Sequence, residues 1–225
     1  MRRPDFSTLF NFFSPNKTIP ITPWSGEHPW DFGLKRFFIL ITGLAIFGLG
    51  DAFIITSALG NAPWSVLAQG VSLKVGISIG AATFIIGALV LLLWIPLKRK
   101  VGLGTVVNIF VISIFIDIGL LIVPSSTLFP IQLAYIFLGI IFVGIGSALY
   151  LTCNLGAGPR DGLMTGLHER TGVRIGRIRL AIELSVLMLG ALLGGVIGLG
   201  TALFALLIGE SIAISLGVVS RATKR

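Results

Sequence analysis

Six apolar stretches of about 20 residues each, over 37–57, 77–97, 105–123, 131–153, 180–197 and 202–219, alternate along the chain with short polar or glycine- and proline-rich breaks. A helix rises ~1.5 Å per residue, so each stretch can cross a hydrocarbon core ~30 Å thick. A membrane β-barrel would instead show short strands of alternating polarity. The pattern predicts an all-α polytopic protein with six transmembrane helices. Two breaks read as helix stop, turn and helix start: Leu59-Gly60-Asn61-Ala62-Pro63-Trp64-Ser65 and Leu155-Gly156-Ala157-Gly158-Pro159-Arg160-Asp161. Glycine closes a helix in the left-handed conformation, and proline opens the next because its missing N–H would have no intrahelical partner. The helices predicted after these breaks, over 63–75 and 159–171, reach only ~20 Å. Each is therefore expected to be re-entrant or interfacial.

The pattern also occurs twice. Sliding residues 43–123 along by about 96 positions onto 139–219 matches roughly a third of them without a gap. Gly48 falls on Gly144, Gly50 on Gly146, Gly70 on Gly166, and Gly102-Leu103-Gly104-Thr105 on Gly198-Leu199-Gly200-Thr201. Chance apolar matches would not place Gly and Pro in register so often. Each copy holds three predicted spans, an odd number, so the copies should point opposite ways. The expected organisation is an N-terminal arm (1–33), a first repeat (34–123), a link (124–130), a second, inverted repeat (131–219) and a basic tail (220–225). Inverted repeats are the ground plan of many transporters, whose substrate sites lie between the copies.

Composition and charge sharpen this picture. With 55% hydrophobic and 12% charged residues and a mean hydropathy of +1.00, the chain is far from a soluble domain. Arg2, Arg3, Lys17, Lys35 and Arg36 precede the first span, and Lys98, Arg99 and Lys100 follow the second. Arg160, Arg170, Arg174, Arg177 and Arg179 follow the fourth, and Arg221, Lys224 and Arg225 end the chain, while Lys74 alone falls on the other side. The positive-inside bias then puts both termini in the cytoplasm. This topology accounts for the net charge of +8 without a nucleic-acid partner. The opening segment is polar and Pro-rich, so the first span is expected to be an uncleaved anchor. Its Phe and Trp residues suit an interfacial or partly disordered arm.

The string Gly156-Ala157-Gly158-Pro159-Arg160-Asp161-Gly162-Leu163, then Arg170-Thr171-Gly172 and a glycine-flanked last span with Leu206-Leu207-Ile208-Gly209, resembles the YczE-like branch of the YitT/YczE group of bacterial integral membrane proteins. The resemblance covers most of the chain after Phe37. It implies a multi-helix inner-membrane protein and brings no established activity with it.

Candidate chemistry rests on polar groups at membrane depth, where a charge costs about 2.5–3.5 kcal/mol on insertion scales. Asp117 and Glu210 lie near the middles of the third and sixth spans, and Asp51 in the outer half of the first. Asp117 and Glu210 are expected to approach the pseudo-two-fold axis as a carboxylate pair for a cationic substrate or protons. The competing reading has them hydrogen-bonded to Asn108, Ser113 or Thr201, joining helices. Glu183 is expected to pair with Arg177 or Arg179. The short-helix starts, Pro63, Trp64, Gly158, Pro159, Arg160 and Asp161, could meet an anionic group if re-entrant; amphipathic elbows at the headgroups are the alternative. Arg160 and Asp161 replace Trp64 and Ser65 of the first copy, so this feature is asymmetric. Cys153 has no nearby base and His168 no second ligand at metal spacing. No catalytic residue, metal or cofactor is expected. The reading is a small-solute transporter in the lipid bilayer, not an enzyme, taking a small molecule or ion. A non-transporting, substrate-capturing subunit with a partner chain or a second copy is the alternative.

Overall fold

A computed structural model describes residues 14–16 and 18–223. The parts of the predicted arm and tail at 1–13, 17 and 224–225, including Arg2, Arg3, Lys17, Lys224 and Arg225, lie outside the described residues. Within them the chain forms eight helices and no strand: α1 (Leu34–Thr56), α2 (Pro63–Val75), α3 (Ile79–Leu92), α4 (Leu103–Ile122), α5 (Phe129–Thr152), α6 (Pro159–Thr171), α7 (Ile175–Leu192) and α8 (Leu199–Thr223). The four long helices α1, α4, α5 and α8 are each long and apolar enough to cross a membrane. The pair α2 and α3, bent by 113°, passes the same test when taken together. By length and composition there are thus four spans, or up to five, where the sequence pattern predicts six. Helix α3 has 14 residues and gives way to turns at Leu93. Helix α7 begins five residues before the predicted stretch and carries Arg177, Arg179 and Glu183 within its 18 residues.

The same order of long, short, intermediate and long helix occurs in both halves, and the backbone repeats with it. All eight positive-φ positions among the described residues pair across the halves: Ala58 with Asn154, Gly60 with Gly156, Gly76 with Gly172, and Lys98 with Gly194. Helices α1 and α5 cross where glycines let their backbones touch. Gly43 faces Gly146 while Gly50 faces Gly139, so the two helices run antiparallel. Gly48 of α1 seats on α4 at Ile112 and Phe115, as Gly144 of α5 seats on α8 at Ser211. Ile54, Ile136, Ile140, Val143 and Ile208 pack together where α1, α5 and α8 meet.

The halves also close each other's turns. The N–H of Gly104, at the start of α4, donates to the Leu155 carbonyl in the turn before α6 at 2.7 Å. Gly200, at the start of α8, donates to the Leu59 carbonyl before α2 at 2.8 Å. A side chain at Gly102 or Gly198 would strike the same two carbonyls, which explains the duplicated Gly-Leu-Gly-Thr string.

The short helices pack on the opposite half: α2 against α7, and α6 against α3. Gly190 and Gly195 bring α7 onto the backbone of α2 at Val66 and Leu67. In the mirror contact Trp94 fills the space, its ring lying over Gly162 and its Nε1–H donating to the Pro159 carbonyl at 3.0 Å. Arg99 adds an ion pair to Glu169 at 2.7 Å.

Residues 18–32 form an irregular strap across the end of α5. The Ser25 hydroxyl donates to the Thr152 carbonyl at 2.7 Å, the Gly26 N–H to the Cys153 carbonyl at 2.8 Å, and the Trp24 indole to the Thr152 hydroxyl at 3.1 Å. Arg36 holds the strap through the carbonyls of Trp24 and Asp31, both at 2.6 Å, and the Asp31 carboxylate at 2.8 Å.

Candidate functional site

Both short helices begin without a side-chain cap, with Ala62 and Gly158 in the N-cap positions and proline at the first turn. The first backbone bonds are Val66 N–H to the Ala62 carbonyl at 2.8 Å and Gly162 N–H to the Gly158 carbonyl at 3.0 Å. The N–H groups of Trp64, Ser65, Arg160 and Asp161 therefore have no acceptor among the described residues. A helix start carries about half a positive charge in such uncompensated groups. Because each short helix packs on the opposite half, the two starts converge. They open on one cavity of about 330 Å³, walled by α1, α3, α4, α5, α7 and α8.

Asp51 projects into this cavity from α1, 2% exposed, and its Oδ2 has no hydrogen-bond partner among the described residues. Trp64, 6% exposed, likewise leaves its indole Nε1–H unpartnered. The Arg160 guanidinium lies over the Trp64 ring, Cζ 5.0 Å from its centroid, a cation–π contact between the two helix starts. It makes no hydrogen bond or ion pair with a described residue, although Asp51, Asp161 and Glu183 act on it electrostatically. The other charged groups of the wall are paired. Asp161 accepts from the Tyr150 hydroxyl at 2.9 Å, and Arg179 Nε donates to Glu183 at 2.8 Å. Beneath the start of α2, Gln69 Oε1 accepts from Asn61 Nδ2 and from the Val196 N–H, both at 2.8 Å, tying α2 to the α7–α8 connection.

Of the residues singled out from the sequence, Asp51, Asn108, Pro63, Trp64, Gly158, Pro159, Arg160 and Asp161 all line this cavity. The expected pairing of Asp117 with Glu210 is corrected by the structure. Asp117 faces α3, its Oδ1 accepting from the Gly80 N–H at 2.8 Å and its Oδ2 from the Ser78 hydroxyl at 2.6 Å. It thereby closes the start of α3, a use of a carboxylate that the helix dipole favours. Glu210 lies exposed on the outer side of α8, away from the cavity. The partners of Asp117 are thus Ser78 and Gly80, in place of the Asn108, Ser113 or Thr201 weighed from the sequence. Glu183 pairs with Arg179 as expected, yet at the cavity wall.

Tyr150, Ser147, Arg179 and Glu183 complete the polar wall and were not singled out as site residues. The duplication carried a signal for three of them. Ser147 is the counterpart of Asp51, Arg179 of Thr83 and Glu183 of Gly87, and all six line the cavity.

Comparison with known proteins places the chain in a family. The model of DUF6198, a family of unknown function, matches residues 34–216, and the chain belongs to that family. It is 44% identical over 205 residues to an uncharacterized protein of Haemophilus influenzae, covering 91% of this chain and 94% of that one. It is 33% identical over 183 residues to the uncharacterized membrane protein YczE of Bacillus subtilis, covering 80% and 85%. The YczE-like resemblance read from the Gly-Pro-Arg-Asp-Gly string is thus confirmed. No solved structure gives a significant match.

Proposed function

We propose that this DUF6198 member is a small-solute transporter of the bacterial inner membrane, built from two inverted three-span repeats with both termini in the cytoplasm. On this reading α2 and α6 enter the bilayer from opposite faces, and the cavity between Asp51 and Arg160 is the substrate site. The observation that carries the reading is the convergence of two uncapped helix starts on one cavity that holds a buried carboxylate. Non-helical backbone at membrane depth is tolerated where it is buried in protein or lines a cavity. Asn61 and Ala62 before α2, Gly158 before α6, and the first residues of the two helices, Pro63 and Pro159, are all buried. The antiparallel crossing of α1 and α5 and the exchanged Gly–Leu bonds support the inversion. No covalent step is assigned to the site.

The test is a thermal-shift screen of the detergent-purified chain against metabolite and ion libraries, followed by counterflow of each hit in proteoliposomes. A ligand that binds the native state raises its apparent stability by mass action. Transport predicts at least one hit that exchanges across the vesicle membrane and is lost in Asp51→Asn or Arg160→Gln. Binding without counterflow would instead identify a substrate-capturing subunit, and overturn the reading.

A further inference from the structure

The class of solute can be read by setting aside every cavity group that already has a partner. Asp161 is bonded to Tyr150, and Arg179 and Glu183 to each other. Besides the neutral side chains of Asn108 and Ser147, what remains is of two kinds. On one side stand the Arg160 guanidinium, the unpartnered Trp64 indole N–H and the free N–H groups of both helix starts, all hydrogen-bond donors with positive charge behind them. On the other stands Asp51, with a buried oxygen that nothing meets. Asp51 and Arg160 feel each other's field yet form no ion pair.

An anion alone would satisfy the donors and sit beside an unmatched carboxylate. A cation alone would satisfy Asp51 and leave the guanidinium and helix starts unmatched. Leaving a buried charge unpaired is the costly outcome in either case. The remaining wall is largely apolar, including Phe47, Val143 and Phe204. Its volume, about 330 Å³, lies at the small end of ligand pockets.

Building on the transport reading above, we propose that the cavity takes a zwitterionic amino-carboxylate with a small apolar side chain. Its carboxylate lies against Arg160 and the helix starts, and its ammonium against Asp51.

The test uses the full chain in detergent and three matched probes on each of two skeletons. These are L-leucine and L-alanine, their amides, which keep only the ammonium, and 4-methylpentanoate and propionate, which keep only the carboxylate. The expected result is stabilisation by at least one amino acid, with an apparent Kd at least 10-fold weaker for its amide and for its des-amino acid. In Asp51→Asn the amino acid and its des-amino acid should bind alike, and in Arg160→Gln the amino acid should no longer bind. The probe series on the parent chain decides the question even if a variant fails to fold. A des-amino acid binding as tightly as its amino acid would overturn the zwitterion assignment while leaving the transport reading standing. An amide that binds as tightly would do the same. No shift with any probe up to millimolar concentration would also overturn it. Counterflow with the wider library then decides the transport reading on its own.

Discussion

Helices α3 and α7 occupy the same place in the two halves but are held very differently. Helix α3 lies against α4, where Gly80 fits under the Ser113 carbonyl and the Asp117 carboxylate grips its first turn. Helix α7 barely touches α8. The counterpart of Gly80 is Gly176, which has nothing within 4 Å of where a side chain would begin; the counterparts of Ser78 and Asp117 are Arg174 and Ala213. Duplication thus preserved the backbone path, and two substitutions removed one clasp. The released helix is the one that brings Arg179 and Glu183 to the cavity. It is anchored to α2 of the other half, through Gly190 and Gly195, more than to its own.

The two short-helix contacts differ in a complementary way, and the largest expected effect tests that. Trp94 is 2% exposed and does for α3–α6 what close glycine packing does for α2–α7. Trp94→Ala should cost about 3–5 kcal/mol by opening a cavity over Gly162, seen as a lowered unfolding midpoint in detergent. Trp94→Phe should recover most of this and lose the bond to Pro159. The next effect compares the two clasps directly. Gly80→Ala should destabilise by about 1–3 kcal/mol through overpacking against Ser113 and Asp117, whereas Gly176→Ala should leave the midpoint unchanged or raise it slightly, because a helix prefers alanine. Equal effects of the two substitutions would erase the contrast between the halves. Asp117→Ala should cost about 1–3 kcal/mol by leaving the Gly80 N–H unmet, while Glu210→Gln should leave the unfolding midpoint where it is.

The smallest effect concerns the ends of α1 and α5. The end of α1 is closed by its own Ser57 hydroxyl on the Ile54 carbonyl at 2.6 Å, whereas the end of α5 is covered by the strap that Arg36 and Asp31 hold. The Glu27 N–H, and then the Arg36 guanidinium, hold the Asp31 carboxyl below the usual carboxylate range. A lowered folded value means that the contribution is present above the unfolded value of about 3.9 and fades as pH falls through the folded one. Asp31→Asn should therefore lower stability slightly at neutral pH, flatten the acid side of the stability profile below about pH 4, and meet the parent at the lowest pH. An acid limb as steep as the parent's would remove Asp31 from the strap's fastening.

The short helices were legible because Gly60 and Pro63, and Gly156 and Pro159, punctuate the chain by backbone chemistry. The predicted segments 63–75 and 159–171 coincide with α2 and α6. Helix α7 was misplaced because an apolar stretch reports hydrocarbon content and not capping. Its first turns are polar, at Arg177 and Arg179, and it stops before Gly194, whose φ is +99°. The error at Asp117 has a different origin. Depth along a span follows from counting residues, but azimuth depends on the neighbouring helix. Asn108, Ile112 and Ile116 share one buried face of α4. Asp117 stands one position round from Ile116, which turns it from the cavity toward α3. Asp51 and Arg160 were legible as costly charges; their failure to pair was not, since that depends on how two distant turns are held.

The Gly104–Leu155 and Gly200–Leu59 bonds have a consequence for ancestry. Each half contains one turn offering a bare carbonyl and one glycine edge offering an N–H, and satisfies neither from within. Two identical copies of such a half, laid head to tail, would complete each other with no further invention. A half-length progenitor built on these bonds would have assembled as a dimer, and fusion of its genes would have let the two copies diverge, as at Trp64 and Ser65 against Arg160 and Asp161.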